Sequence, residues 1–216
     1  MSTSAVVRAV GQALVAAHGR LNEADSAAGD GDLGNTAVSI GDVLIALAPE
    51  IDGVDPAVAM RRVGLEIGSR APSTFGSLLS MGLIGAGLTV AAGPPDAEPT
   101  DVQLAAQLVR AVETAIATRG NASRGGKTLL DALGPAADGL QAAAEAGVSL
   151  LEGFSLAMLA ACEGVEETRG MEPTMGRQAW LSDRARGTVD PGALAVAIAF
   201  EAAARALAAV QPRDSS

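Results

Sequence analysis

Three aspartates lie close together in the stretch "LNEADSAAGDGDLGNT", residues 21–36: Asp25, Asp30 and Asp32. Two of them alternate with glycines, and an isolated "DGD" is typical of a turn or a helix cap. A third carboxylate five residues earlier favours another interpretation, because neighbouring carboxylates repel one another unless cations neutralise them. The three residues therefore indicate a metal site.

The types of ligand in this stretch restrict the metal ion. The stretch contains neither His nor Cys, so its oxygen ligands indicate a hard cation such as Mg²⁺, Mn²⁺ or Ca²⁺. An EF-hand fits poorly because the twelfth position, where that motif requires Glu, is Thr36 counted from Asp25 and Gly41 counted from Asp30. Three aspartates are enough to hold two Mg²⁺ ions that bridge the phosphates of a nucleotide.

The segment "RGGKT", residues 124–128, resembles the end of a P-loop. The first glycine of that motif would fall at Asn121, and no strand is predicted before the segment, so a Walker A motif is excluded. A glycine-rich turn before a helix binds anions through free backbone N–H groups. A plain loop at the start of a helix explains the same residues equally well, and both interpretations stay open here.

Two further segments carry groups that suit phosphate oxygens. In "APSTFGSLL" the residues Pro72, Ser73 and Thr74 are typical of a helix N-cap, and their hydroxyl and N–H groups would also bind phosphate. Surface arginines usually serve solubility alone, but an arginine on a loop near a nucleotide stabilises charge during phosphoryl transfer. The late segment "GRQAWLSDRARGTVDPGA" contains three arginines: Arg177, Arg184 and Arg186.

The elements that must position these segments are helices. Apolar residues recur with a helical period, and alternating β-branched runs are missing from the sequence. Asp55-Pro56 and Asp190-Pro191 each place a capping acceptor before a proline suited to the first helical position. Breaks at glycines, prolines and polar clusters predict eight helical stretches, near 4–20, 36–48, 55–68, 74–92, 100–119, 128–146, 150–169 and 190–209.

Short connections between these helices predict an all-α antiparallel bundle. We expect a single domain over residues 1–210 and a flexible tail over 211–216. The polar connection 170–189 contains the only Trp, and a connection of that length is usually functional or disordered. The uncharged span 71–95 is about long enough to cross a bilayer, but its glycine, serine and threonine residues favour a buried core helix.

Composition narrows the function further. Aromatic residues are 2% of the 216 residues and Tyr is absent, so the core must be mostly aliphatic. A net charge of -10 argues against nucleic acid or an anionic membrane surface as a partner. The N-terminus lacks the basic start and continuous apolar run of a signal peptide, so we expect a cytoplasmic protein.

Single Cys and His residues exclude several kinds of site. Cys162 alone permits neither a disulfide framework nor a cysteine-based zinc site within one chain. His18 is the only histidine, so a Ser-His-Asp or Cys-His arrangement requires that one residue. We predict instead that His18 caps the C-terminal end of the first helix.

The four segments, taken in order, resemble the nucleotide-binding L subunit, or L domain, of the dihydroxyacetone kinase family. The stretch "LNEADSAAGDGDLG" resembles the metal loop of that family, "RGNASRGGKTLLDAL" its central segment and "GRQAWLSDRARGTVDPGA" its late nucleotide loop. The match covers nearly the whole chain. It implies a barrel of eight antiparallel helices that binds ADP or ATP at one end through two Mg²⁺ ions.

The resemblance also implies roles for particular residues. Asp25, Asp30 and Asp32 match the metal ligands, and Arg177 matches a nucleotide contact that would steady developing charge as a catalytic residue. Asp131 falls in the matching central segment. The positions expected to contact the nucleotide are Leu33, Gly34, Asn35, Thr36, Ser73, Thr74, Gly120, Thr128, Leu129, Arg177, Asp190, Pro191 and Gly192.

This sequence departs from the family pattern at three places. The usual "GDGDHG" has His where this chain has Leu33. An Asn commonly found three residues after that His falls at Thr36, although Asn35 is adjacent. The "SG" step that binds phosphate is represented by "APSTFG", which leaves the register between Ser73 and Thr74 open.

The function implied is that of a Mg²⁺-dependent phosphotransfer subunit of a kinase for dihydroxyacetone or a related hydroxyketone or sugar. In the family a separate K subunit or domain holds the carbonyl substrate, and no such domain fits in 216 residues, so we expect a K-type partner. The phosphate donor is either ATP, exchanged as a substrate, or a retained ADP that a phosphocarrier protein recharges. A homodimer is a further assembly that the resemblance allows.

Two alternative functions remain at this point. The first is a non-catalytic subunit that binds ADP with Mg²⁺ and regulates a partner, for instance a transcription factor; the Leu33 departure favours it. The second is a helical scaffold in which the aspartate loop is only a turn.

Overall fold

Helix caps and glycines in the sequence mark the breaks between the helices of the computed structural model, which describes residues 3–27, 29–93, 99–174 and 185–210. This part of the chain contains nine α-helices, two short 3-10 turns and no strand. The helices are α1 Thr3–Ala16, α2 His18–Ser26, α3 Leu33–Leu47, α4 Pro56–Arg70, α5 Thr74–Ala91, α6 Asp101–Gly120, α7 Leu130–Ala146, α8 Leu150–Glu167 and α9 Pro191–Val210. The 3-10 turns are Ala48–Glu50 and Thr168–Gly170.

The predicted cap at Asp55 begins α4, since its carboxylate accepts a hydrogen bond from Val58 N at 3.0 Å. Thr100 and Ser149 begin α6 and α8 with capping boxes, in which the cap side chain and the third helical residue bond to each other's backbone N–H. Comparison of the predicted and observed bounds shows that seven of the eight predicted stretches coincide with one helix each.

The first predicted stretch, 4–20, is two helices. Backbone hydrogen bonds continue through Ala17, from Ala17 N to Ala13 O and from Leu21 N to Ala17 O, and α2 then runs to Ser26. The prediction that His18 caps a helix C-terminus is wrong, because the helix resumes after a one-residue irregularity and His18 begins α2. Asp25 consequently lies in the last turn of a helix and not on the loop.

Eight of the helices form a closed ring. Helix α1 packs against α3, each helix from α3 to α8 packs against the next, and α9 returns to pack against α1. Helix α2 prolongs α1 and packs on α3. Because the connections are mostly short, neighbouring helices run antiparallel. The prediction of an all-α barrel of eight antiparallel helices is confirmed for the described residues.

Small side chains permit the close packing of the ring. A Cβ atom on Gly11 of α1 would lie 2.7 Å from the carbonyl oxygen of Gly41 in α3, and a Cβ atom on Gly41 would lie 2.5 Å from Gly11 O. The largest fully buried side chains are Leu, Ile, Val and Thr. The core is therefore aliphatic, as the composition predicts.

Two helices, Thr74–Ala91 and Pro191–Val210, are long and apolar enough to cross a membrane by length and composition alone. In the barrel, α5 packs between α4 and α6, and 28% of its residues are buried. Its Leu88 is half exposed. The predicted core helix is thus a wall helix, buried on one side only.

The alternating helix directions place the connections at two ends of the barrel. At one end, which we call the site end, lie the connections α2–α3 (27 and 29–32), α4–α5 (71–73) and α6–α7 (121–129), and the described parts of α8–α9 (168–174 and 185–190). At the other, the distal end, lie α3–α4 (48–55) and α7–α8 (147–149), and the described parts of α5–α6 (92–93 and 99–100). The predicted tail, 211–216, lies outside the described residues.

Candidate metal and nucleotide site

A cavity of about 420 Å³ opens at the site end, and all four connections of that end line it. Most of the residues predicted from the sequence lie on its wall. These residues are Asp25, Asp30, Asp32, Leu33, Thr36, Ser73, Thr74, Gly120, Thr128, Leu129, Asp190, Pro191 and Gly192. Further lining residues that the sequence did not single out as site residues are Gly29, Phe75, Leu78, Ile116, Ala122 and Lys127. Arg177 lies outside the described residues.

The three aspartates form a cluster of carboxylates at the cavity. One oxygen from each of Asp25, Asp30 and Asp32 lies within 4.8 Å of the others. Opposite ligands of a six-coordinate Mg²⁺ ion stand about 4.2 Å apart, since each lies about 2.1 Å from the ion. Oxygen donors at this separation fit a hard divalent cation with small adjustments of the side chains.

Asp25 also shapes the loop that carries the other two aspartates. It is buried, and its Oδ2 accepts hydrogen bonds from Asp32 N at 2.9 Å and Leu33 N at 3.2 Å. Gly29 approaches the same carboxylate so closely that a Cβ atom there would lie 2.2 Å from Asp25 Oδ1. Gly31 has a φ of +77°, which favours glycine. The glycines of "GDGD" are therefore required by the backbone path around Asp25.

Two predicted residues, Gly34 and Asn35, do not line the cavity. Gly34 N donates to Asn22 Oδ1 at 2.6 Å, and the exposed Asn35 side chain accepts a hydrogen bond from His18 Nε2 at 2.8 Å. These contacts join α3 to α2. Thr36, one residue further on, lines the cavity instead. A nucleotide contact from Gly34 or Asn35 stays a prediction.

Four helix N-termini meet at the cavity, those of α3, α5, α7 and α9. Their first or preceding residues, Leu33, Thr74, Leu129 and Pro191, all line it. The N-terminus of a helix carries a partial positive charge, which favours anions. At the start of α3 the N–H groups of Leu33 and Gly34 are already engaged with Asp25 and Asn22, so this helix contributes through its partial charge. This arrangement explains how a chain of net charge -10 can offer a favourable site to phosphate groups.

Two of these N-termini are capped by residues of the cavity wall. Ser73 Oγ accepts a hydrogen bond from Gly76 N at 2.9 Å, so Ser73 is the N-cap of α5 and Thr74 is its first helical residue. Asp190 Oδ1 accepts a hydrogen bond from Ala193 N at 2.7 Å at the start of α9. Both predicted caps are confirmed.

The "RGGKT" segment uses its own N–H groups within the chain. The Asp131 carboxylate accepts hydrogen bonds from Gly125 N and from Thr128 N, and Gly126 N donates to Ser123 O at 3.3 Å. These three N–H groups are not free to bind an anion. Of the two interpretations left open, the loop that starts a helix is favoured, and Asp131 acts as its internal anchor.

Arg124 of the same segment is also engaged. Its guanidinium pairs with Glu113 and Asp138, each at 2.6 Å, and so joins the α6–α7 connection to both helices. Hydrogen bonds from Arg124 are the main reason why the pKa of Asp138 lies below its usual value. Arg124 therefore holds the loop in place and is unsuited to bind phosphate.

Lys127 is a site residue that sequence analysis missed. Its side chain is 2% exposed and lines the cavity, and its Nζ donates to the carbonyl oxygens of Thr168 and Thr188, each at 2.7 Å. Burial lowers the pKa of Lys127 below its ordinary value. The only signal in the sequence was the position of this lysine in a segment that resembles the end of a P-loop. Exclusion of the Walker A motif left the lysine without a predicted role.

One side of the cavity wall is apolar. Phe75 and Leu78 on successive turns of α5 line it together with Ile116 and Ala122. A cavity with a polar cluster at one side and an apolar wall at another suits a ligand that joins charged groups to a flat apolar ring.

Comparison with known proteins identifies the family. Residues 27–205 match the family model described as the DAK2 domain. The chain is 32% identical over 190 residues to triokinase/FMN cyclase of Mus musculus, which covers 88% of this chain and 32% of that protein. It is 34% identical over 185 residues to L-erythrulose 1-kinase of Mycolicibacterium smegmatis, covering 84% of this chain and 31% of that protein.

The fold matches a solved structure as well. The crystal structure of the dihydroxyacetone kinase from C. freundii in complex with AMP-PNP and Mg²⁺ superposes with a TM-score of 0.74 and 24% identity, over 94% of this chain and 33% of that one. The chain thus spans about a third of the length of the relatives that it matches.

Proposed function

The chain belongs to the DAK2 domain family, the L-type domain of dihydroxyacetone kinases, and we propose that it is the Mg²⁺-dependent, adenine-nucleotide-binding phosphotransfer component of a kinase. The substrate class that we propose is dihydroxyacetone or a related small hydroxyketone or sugar. Two relatives support the reaction type, since one is named a triokinase and the other a kinase of L-erythrulose, a small polyhydroxy ketone.

One observation carries the proposal: three carboxylates gathered within 4.8 Å adjoin a cavity on which four helices begin. The carboxylates suit divalent cations, and the helix N-termini suit phosphate oxygens. A nucleotide with Mg²⁺ presents both groups at once. The C. freundii relative of the same fold, crystallised with AMP-PNP and Mg²⁺, agrees with this choice of ligand.

In the proposed mechanism Asp25, Asp30 and Asp32 hold the cations, of which we expect two. Bound Mg²⁺ supplies neutralisation of the charge on the phosphates. The N–H groups at the starts of α5 and α9 orient the phosphate oxygens, and the wall of Phe75 and Leu78 packs against the base. Arg177 remains the predicted residue that steadies developing charge. Such a site works by positioning and electrostatics, and we assign no general base to this chain.

In the family that this chain resembles, a separate K subunit or domain holds the carbonyl substrate. We propose that a K-type subunit or domain holds the hydroxyketone beside the nucleotide and provides the proton acceptor. ATP, or a phosphocarrier protein that recharges bound ADP, would be the phosphate donor. We expect the complex in the cytoplasm. A homodimer of this chain is a further assembly that we propose to test.

A regulatory subunit that binds ADP and Mg²⁺ without turnover is the second candidate. It is favoured by Leu33, a buried apolar residue on the cavity wall where the family pattern has a polar His. Phosphorylation of dihydroxyacetone in the presence of a K-type subunit separates the two functions. Turnover supports the kinase, whereas tight nucleotide binding with no turnover supports the regulator.

The direct test is calorimetric titration of ADP and ATP into the protein, with Mg²⁺ and with EDTA. We expect binding that requires Mg²⁺ and weakens at least a hundredfold in Asp30→Ala. Asp42→Ala is the matched control, because Asp42 is an exposed aspartate on α3 that does not line the cavity. If the folded wild type binds neither nucleotide, the proposed function is wrong and the scaffold interpretation is favoured.

A further inference from the structure

Lys127 is the only lysine among the fifteen lysine and arginine residues of the chain. It is also almost fully buried, at 2% exposure. Burial of an ammonium group is costly unless hydrogen bonds and nearby negative charge compensate for the lost water. Asp190 and Glu172 lie near enough to favour the charged form, and Arg169 opposes it. A buried lysine in a chain that otherwise uses arginine indicates a specific requirement for this side chain.

The contacts of Lys127 show what the requirement is. Its Nζ donates to Thr168 O and Thr188 O, at 2.7 Å each. Thr168 begins the α8–α9 connection and Thr188 lies near its end, whereas Lys127 belongs to the α6–α7 connection. A compact ammonium with three rotatable donors suits two converging carbonyl oxygens better than a planar guanidinium does. One side chain thus joins two of the four connections at the site end.

Thr168 extends this link to the start of α9. Its hydroxyl oxygen accepts a hydrogen bond from Asp190 N at 2.8 Å, and Asp190 in turn caps α9. Two parts of the cavity wall, Thr128–Leu129 and Asp190–Gly192, meet there. A Cβ atom on Gly192 would lie 3.4 Å from Leu129 Cβ. The ammonium of Lys127 therefore fixes the place where the wall of Leu129 meets the wall of Gly192.

The backbone at Lys127 supports a role for the side chain. Its φ is 56°, in the left-handed region. This conformation is unfavourable for an L-residue, and glycine would adopt it without that cost. Two glycines precede this position, yet a lysine occupies it. A lysine at this left-handed position indicates that the hydrogen bonds of its ammonium offset the unfavourable backbone conformation.

We propose that Lys127 is a positioning residue of the nucleotide site. By holding Thr168 and Thr188 it sets the separation of the two walls formed by Thr128–Leu129 and Asp190–Gly192, without itself contacting the reacting phosphate. The inference rests on the proposed nucleotide binding.

The test compares Lys127→Met, which removes the ammonium but keeps an unbranched chain, with Arg119→Met, which removes one exposed positive charge from the end of α6. Affinities for ADP and ATP with Mg²⁺ are measured by calorimetry at a temperature where circular dichroism shows each variant folded. We expect Lys127→Met to weaken both nucleotides by the same factor, at least tenfold, and Arg119→Met to leave both unchanged.

Lys127→Gly keeps the test informative if the methionine variant does not fold, because glycine relieves the left-handed backbone. It should also weaken both nucleotides at least tenfold. Wild-type affinity in either folded variant would overturn the inference and leave the proposed function standing. A loss much larger for ATP than for ADP would overturn it too, since that pattern indicates a direct contact with the terminal phosphate. Absence of nucleotide binding by the wild type would overturn both.

Discussion

The two ends of the barrel are stabilised in different ways. At the distal end the starts of α4 and α6 are capped from within their own turns: Asp55 accepts a hydrogen bond from Val58 N, and Thr100 exchanges hydrogen bonds with Gln103. At the site end Ser73 and Asp190 cap their helices in the same way, but two of the four connections are also bonded to each other. Lys127 joins the α6–α7 and α8–α9 connections, and Thr174 N donates to Gly126 O at 3.1 Å.

This difference indicates what each end contributes. Contacts within one turn stabilise a helix wherever that helix is placed. The caps at the distal end therefore stabilise individual helices and do not set the positions of the connections relative to one another. Two described bonds at that end reach further along the chain: Ser4 N donates to Asp52 Oδ1 at 3.2 Å and attaches the start of α1, and Arg62 of α4 pairs with Glu50. Contacts between distant connections instead fix the relative positions of the cavity walls. Substitutions at the site end should therefore alter binding, and those at the distal end should alter stability alone.

Apart from substitutions of the three clustered aspartates, the largest effect is expected for Gly34→Ala. A Cβ atom there would lie 2.2 Å from His18 O and 2.5 Å from Asn22 Oδ1, so α3 must move away from α2. We expect a loss of about 1–3 kcal/mol in the free energy of unfolding, typical of overpacking, together with weaker binding of ADP and Mg²⁺. Urea unfolding and calorimetry measure the two effects.

Gly19→Ala is the matched control for this substitution. Gly19 lies in α2, and no atom comes within 4 Å of a Cβ atom placed there. Alanine at this position should leave nucleotide binding unchanged and should raise stability by up to about 1 kcal/mol, because it is the better helix former. Normal stability and binding in Gly34→Ala would contradict the role given to the α2–α3 contact.

A pair of cap substitutions compares the two ends directly. Ser73 caps α5 at the site end and Thr100 caps α6 at the distal end. Replacement of either residue by alanine should lower the free energy of unfolding by about 1 kcal/mol. Only Ser73→Ala should weaken nucleotide binding, by severalfold, because Ser73 lines the cavity. Equal affinities in the two variants would remove the functional distinction between the ends.

The smallest effect concerns the ion pair between Arg124 and Asp138, which anchors the α6–α7 connection. Arg124 holds the pKa of Asp138 below its usual value. The pair therefore contributes stability above the ordinary carboxyl pKa of about 3.9, and this contribution is lost as the pH falls through the lower folded-state value. For a half-exposed pair we expect a coupling energy of about 0.2–1 kcal/mol at neutral pH.

A double-mutant cycle with Arg124→Gln and Asp138→Asn, followed by thermal unfolding at several pH values, measures that coupling. The coupling should be present at pH 7 and should weaken as the pH falls below the ordinary carboxyl pKa of about 3.9 and through the lower folded-state value. A coupling that persists in acid would show that the pair does not act through the Asp138 carboxylate.

Much of the fold and part of the site could be predicted from local patterns. The caps at Asp55, Ser73 and Asp190 were identified because each acts within three residues of its own position. The cluster of three carboxylates was predicted for the same reason, since Asp25, Asp30 and Asp32 are close in sequence. Local patterns failed at His18, where the helix resumes after one irregular residue.

The sequence by itself determined the number of helices in the ring, most of their caps and the chemistry of the aspartate loop, because these depend on interactions within a few residues. Only the tertiary structure decided which connections share a cavity, and that Lys127 bonds to Thr168 and Thr188, residues 41 and 61 positions further along the chain. Such contacts follow from closure of the ring, which brings alternate connections to one end. No local pattern specifies that closure, since it results from packing of all eight helices together.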